Sequence, residues 1–120
     1  MADRVLFVGW GESIPGREER SLEVFNEAVG IVGRMQQEGR IESFDVVLFA
    51  PNAELGGYIQ MQGTADQIAA VKEDDEFRRN TVDASLIVGG LRHLEGAINE
   101  GVAREMSLYQ EAVAKVPQAA

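Results

Sequence analysis

Residues 41–63 read IESFDVVLFAPNAELGGYIQMQG, and the way the two apolar halves are joined decides the fold. Ile41 to Ala50 is a β-branched and aromatic run. Gly56 to Gly63 (GGYIQMQG) alternates, with Ile59 and Met61 on one side and Tyr58, Gln60 and Gln62 on the other, the pattern of a strand with two differently occupied faces. The turn-rich PNAELGG between them ends one strand and begins the next. The pair is therefore expected to form an antiparallel hairpin, the second and third strands of the chain.

Upstream, Arg4 to Gly9 (RVLFVG) is a short buried strand closed by glycine, and GWGESIPG is a loop. In the segment that follows, Leu22, Phe25, Val29, Val32 and Met35 recur at three- and four-residue steps, the stripe of an amphipathic helix. Glu18 and Glu19 suit its first turn and Gly39 its left-handed stop. Downstream, Thr64 and Gln67 form a T-x-x-Q capping box. Asp74 or Asp75 is placed to cap a continuation, with Ile68, Val71 and Phe77 facing inward. Ser85 to Glu95 (SLIVGGLRHLE) reads as the fourth strand. Val102, Met106, Tyr109, Val113 and Val116 then stripe a last helix ending before Pro117. Two heptads are too few for a free-standing coiled coil, so this helix is expected to pack on the body or on a partner.

The order β-α-β-β-α-β plus a C-terminal helix is the split arrangement of ferredoxin-like α+β domains. Right-handed crossovers give sheet order 4-1-3-2, antiparallel, with the helices on one face. The 120 residues suit one domain, 1–120. The net charge of −9 repels a polyanion, and the basic pairs Arg17 with Arg20 and Arg78 with Arg79 are interleaved with acids, so nucleic acid is not an expected partner. Absence of cysteine excludes thiolate chemistry and disulfides. The opening apolar run is too short for a membrane span or a signal core, and a cytoplasmic setting without membrane contact is expected.

Both faces of the sheet are apolar. The first strand offers Val5, Phe7 and Gly9 one way and Leu6, Val8 and Trp10 the other; the second offers Phe44, Val46 and Leu48 against Asp45, Val47 and Phe49. With helices on one side only, the second face is expected to be covered by another copy, giving a homodimer through the open sheet face. The succession RVLFVGWGESIPGREERSLEVFNEAVG, IESFDVVLFAPNAELGGYIQMQG and ASLIVGGLRHLEG resembles the dimeric α/β-barrel superfamily, in particular small uncharacterised members related to antibiotic-biosynthesis-monooxygenase-like proteins. The resemblance implies two sheets closing a barrel, with a cavity within the barrel or between sheet and helices. Relatives in that superfamily include cofactor-independent monooxygenases, muconolactone isomerases and haem-dependent peroxidases, and no catalytic motif of theirs matches positions here.

The only histidine is His93, a candidate general base because an unperturbed imidazole titrates at about 6.5. Strand parity groups it with Ile87, Gly89 and Leu91, whereas a bulge at Gly89–Gly90 would turn it to the opposite face. Trp10, Tyr58 and Gln60 are candidates for an apolar pocket with polar anchors, with Glu12 and Arg92 as charges at its mouth. GWGESIPG lacks the spacing of a phosphate loop. The adjacent acids Asp74–Asp75 and Glu18–Glu19 suit helix starts better than metal sites. No cofactor is called for, and haem ligation by His93 rests on analogy alone. Three functions follow: binding of a small apolar molecule, a cofactor-independent oxygenase or isomerase, or an interaction domain whose interior is filled by its own side chains.

Overall fold

The computed structural model describes residues 1–119. The elements run β1 (Arg4–Trp10), α1 (Glu18–Gln37), β2 (Ser43–Leu48), β3 (Gly57–Gly63), α2 (Ala65–Glu73), α3 (Asp75–Ser85), β4 (Arg92–Ala97) and α4 (Glu100–Ala114). The sheet order is β2-β3-β1-β4, the expected 4-1-3-2 read from the other edge, and every pairing is antiparallel.

Local signals set the helix ends. Gly39 takes φ +74°; its N–H donates to the Gln36 carbonyl at 3.1 Å and that of Arg40 to the Met35 carbonyl at 2.8 Å. These two bonds are those of a Schellman stop, satisfying carbonyls that would otherwise be orphaned. Thr64 and Gln67 exchange both capping-box bonds. Asp74 accepts the Phe77 N–H at 2.9 Å and pairs with Arg40 at 2.6 Å, so it caps α3 and ties that helix to the end of α1. The Phe77 N–H first, and then Arg40, hold the Asp74 carboxyl below its ordinary pKa.

The core lies between the sheet and the helices. Leu6, Ile59 and Met61 meet Ile31, Val32 and Met35 of α1, with Ile68, Val71 and Phe77 closing the far end. Leu22 departs from the expected stripe: it is 65% exposed, while Val24 is buried in its place. The N-terminal half of α1 stands off the sheet, and Leu22 borders the gap that this leaves.

The fourth strand begins at Arg92, not at Ser85. Helix α3 runs through Ser85, and Leu86 completes its last turn by donating to the Asp83 carbonyl at 3.2 Å. Gly90, at φ +63°, then interrupts the ladder, since that backbone region is foreign to a strand. The interruption does not shift register. Val8 faces His93 and, five residues along each strand, Ser13 faces Val88. The glycine pair is thus a break without a bulge, and strand parity is preserved across it.

The opposite sheet face carries an aromatic cluster set among polar residues, with Gln60 opposite both Phe7 and Asp45. The Phe7 and Tyr58 rings lie 4.9 Å apart, and Tyr58 and Phe49 lie 5.8 Å apart. Leu94, opposite Phe7, is 57% exposed. Helix α4 does not pack on the body: beyond Gly101, the residues of its shaft are exposed.

Removing the α3 cap by Asp74→Ala should lower stability by about 1 kcal/mol, read as a reduced urea midpoint. The lowered Asp74 pKa means that this contribution is present above the ordinary carboxylate range and disappears as pH falls through the folded-state value. An equal midpoint for wild type and variant at neutral pH would remove the capping role.

Candidate functional site

The gap beneath α1 is a chamber of about 490 Å³. Val8, Trp10 and Ile59 form its sheet wall, Leu22, Phe25 and Ala28 its α1 wall, and Asn80 and Ala84 its α3 wall. Small residues create the space, because Ala28 and Ala84 stand where larger side chains would bridge helix and sheet. Trp10 is laid flat by glycines. A Cβ at Gly57 would fall 3.0 Å from its Cζ2 atom and 2.5 Å from the Val47 carbonyl oxygen, and one at Gly56 would fall 3.3 Å from its Cδ1 atom. Only glycine admits the indole there. Phe25 meets the Trp10 ring edge-on at 5.7 Å, a favoured aromatic geometry.

A side pocket of about 30 Å³ adjoins the chamber through shared walls at Val8, Ile59, Asn80, Ala84 and Leu91. That is room for a water molecule or a small substituent. His93 lines it, its ring 5.7 Å from that of Phe77. Part of the imidazole is exposed, yet burial of the rest pushes its pKa below the ordinary value, because desolvation disfavours the charged form. The shift favours the uncharged ring, which keeps a lone pair able to take a proton. Asn80 stands at the junction of the two spaces, its amide donating to the Val24 carbonyl at 3.2 Å.

The sheet divides the residues singled out by sequence. Trp10 and His93 lie on the helix side, one in the chamber wall and the other in the side pocket. Tyr58, Gln60 and Arg92 lie on the open face, where Gly9 is opposite both Tyr58 and Arg92 and Phe7 is opposite Gln60. Arg92 folds back, its Nε donating to the Gly90 carbonyl at 2.9 Å. Glu12 is exposed and outside the chamber wall, which has Glu18, Ser13 and Ser21 as polar members instead. Loop donors are committed internally: Gly11 N–H reaches the Gly89 carbonyl at 2.7 Å and Gly16 N–H the Glu18 carboxylate at 2.7 Å, so the loop presents no phosphate cradle. Sequence reasoning missed Asn80 and Ala84. Both sit on the inward face of α3 shared with Phe77, at offsets of three and seven residues, which is the signal that could have found them.

No family model matches the chain, and no curated protein matches it by sequence. Solved structures do. A dimeric protein of unknown function and ferredoxin-like fold from Bacteroides fragilis superposes with a TM-score of 0.60 at 11% identity, over 79% of this chain and 96% of that one. A provisionally assigned antibiotic biosynthesis monooxygenase from Caulobacter crescentus gives 0.57 at 8% identity, over 81% and 89%. SnoaB, a cofactor-independent oxygenase from Streptomyces nogalater, gives 0.51 at 15% identity, over 82% and 93%. This chain shares their ferredoxin-like fold. About a fifth of it lies outside each match, a length similar to that of the segment from Ile98 onward.

Because His93 is the sole histidine, its proton NMR titration is unambiguous. The midpoint should lie below about 6.5, and Phe77→Leu, which opens the ring to water, should move it back up. A depressed histidine pKa makes the unfolded state the better proton acceptor, so the protein should lose stability as pH falls through the unfolded value toward the folded one. A midpoint at or above the free-peptide value would show that the imidazole is not desolvated.

Proposed function

We propose that this protein binds a small, largely apolar molecule in the chamber between α1, α3 and the sheet, as a homodimer joined through the open sheet face. The observation that carries the first half is the chamber: an interior filled by its own side chains would leave no such space. Its walls are aliphatic and aromatic with a few polar groups, the general make-up of small-molecule sites. Trp10 supplies a flat apolar wall, and the uncharged His93 beside Asn80 supplies hydrogen bonding for one polar substituent. What supports the second half is the aromatic patch of Phe7, Tyr58 and Phe49 on the other face, in the fold shared with a dimeric protein. Tyr58, Gln60 and Arg92 then serve that interface and contact no ligand.

The neutral imidazole at the side pocket favours a second reading, a cofactor-independent oxygenase or isomerase with His93 as proton acceptor. A cofactor-independent oxygenase stands among the structures of like fold. On this reading a ligand held against Trp10 presents an acidic C–H or O–H to His93.

A thermal-shift screen of one- to three-ring aromatic alcohols and lactones should yield compounds that raise the melting temperature; a ligand at about 100 times its Kd adds about 2.7 kcal/mol. Ala84→Phe, which projects a ring into the chamber, should abolish the shift, and His93→Gln should abolish it with little change in the unliganded melting temperature. Binding that survives both substitutions would move the site elsewhere. For the enzymatic reading, liquid chromatography with mass spectrometry of a bound compound incubated in air should show added oxygen, or a product of equal mass and altered retention time. Unchanged compound throughout would remove that reading and leave binding intact.

A further inference from the structure

Helix α4 has a built root and a bare shaft. At the root, Asn99 takes φ 52° with ψ −127°, a positive-φ conformation outside the left-handed helical well that costs a non-glycine residue energy, and its side-chain amide donates to the Ala2 carbonyl at 2.8 Å. Arg104 pairs with Asp3. Gly101 packs so closely that a Cβ would fall 2.3 Å from the Asp3 carbonyl oxygen. The direction of the helix is thus fixed by several bonds to the start of β1. Along the shaft, Val102, Met106, Tyr109 and Val113 recur at four, three and four residues on one side, with Met106 50% and Tyr109 65% exposed. A solvated helix would carry polar residues there.

Dimensions show that this arm is surplus to a lone chain. The radius of gyration is 17.0 Å, against about 13.6 Å for a compact domain of this length. The accessible surface is 7764 Å², whereas a compact protein of 13.1 kDa exposes about 6,400 Å². In flat projection the sheet face is small: four strands spaced about 4.8 Å apart, six or seven residues long at about 3.3 Å per residue, span roughly 400 Å². A standard interface buries about 800 Å² on each partner. The α4 shaft is about 22 Å long and about 10 Å wide, so one face covers roughly 200 Å². A protomer that buries its own stripe and receives its partner's outside the sheet adds roughly 400 Å² in projection, about doubling the sheet contact.

We propose that α4 is an arm that crosses to a second copy of this chain and lays the Val102–Met106–Tyr109–Val113 stripe on it, extending the sheet-to-sheet interface. This rests on the homodimer reading above. A two-fold arrangement uses each arm once and leaves no stripe exposed, and among the described residues the stripe and the open sheet face both present exposed apolar side chains.

The test is sedimentation equilibrium of the full chain, of M106E/Y109E and of L94E on the sheet face, with circular dichroism to show that each variant is folded. All three substituted residues are exposed. Wild type should dimerise, and M106E/Y109E should raise the dimer dissociation constant by about 100-fold or more, the loss expected from two buried apolar anchors. A benzophenone amino acid at position 109 should crosslink two copies, giving a species of twice the chain mass. If wild type and L94E show that the sheet face dimerises while M106E/Y109E dimerises as tightly as wild type, the arm proposal fails and the sheet interface stands. If wild type stays monomeric at about 100 μM, where even a weak dimer should populate, both readings fail.

Discussion

Strand β1 is apolar on both faces and hydrogen-bonded on both edges, and this double constraint organises the molecule. Its edges are taken by β3 and β4. Its side chains then divide between two spaces: Leu6, Val8 and Trp10 toward the helices, Val5 and Phe7 away from them. Leu6 is 1% exposed and forms the centre of the core. Val8 and Trp10, further along, pass out of the core into the chamber wall. One strand therefore contributes to stability at its start, to a candidate site at its end, and to a candidate interface on its reverse, through period-two alternation alone.

The parts of the fold readable in sequence are those specified by residues close together in the chain. The hairpin of residues 41–63, the Thr64 capping box and the Gly39 stop are local devices, and each is realised. The edges of β4 were not readable in this way. Leu86, Ile87 and Val88 resemble a strand, but the cap at Asp74 sets α3 running, and the helix continues through Ser85 before the chain can extend. The Gly89–Gly90 pair left the orientation of His93 open because a bulge and a break look alike in sequence. Only pairing with β1 distinguishes them, and that is a non-local fact.

The candidate site was partly legible for the same reason. Trp10 and His93 reach the helix side by simple parity from Leu6 and Ile87. Tyr58 and Gln60 were grouped with Trp10 by chemical type, yet they alternate with Ile59 and Met61, which are core residues, and so must point the other way. Here period two was a better guide than residue character. The chamber itself left almost no trace in the sequence, since it arises where Ala28 and Ala84 fail to fill space, and small residues signal close packing as often as a void.

That void also bears on what it contains. A sealed apolar cavity costs about 24 cal/mol per Å³, so 490 Å³ held dry and closed would cost on the order of 10 kcal/mol, comparable with the whole net stability of a domain. The fold does not carry such a penalty, because the chamber opens to solvent past Leu22 and Glu18. Water held there faces walls with few hydrogen-bonding partners and gains little from the site. Replacing it with an apolar molecule recovers about 0.8 kcal/mol for each methylene-sized group buried, and ordering the loosely packed first turns of α1 costs some of that gain. The same small side chains that thin the core beneath α1 are thus what would favour an apolar occupant under the proposed binding function, whereas the tightly filled end around Met35, Met61 and Val71 holds the fold in either case.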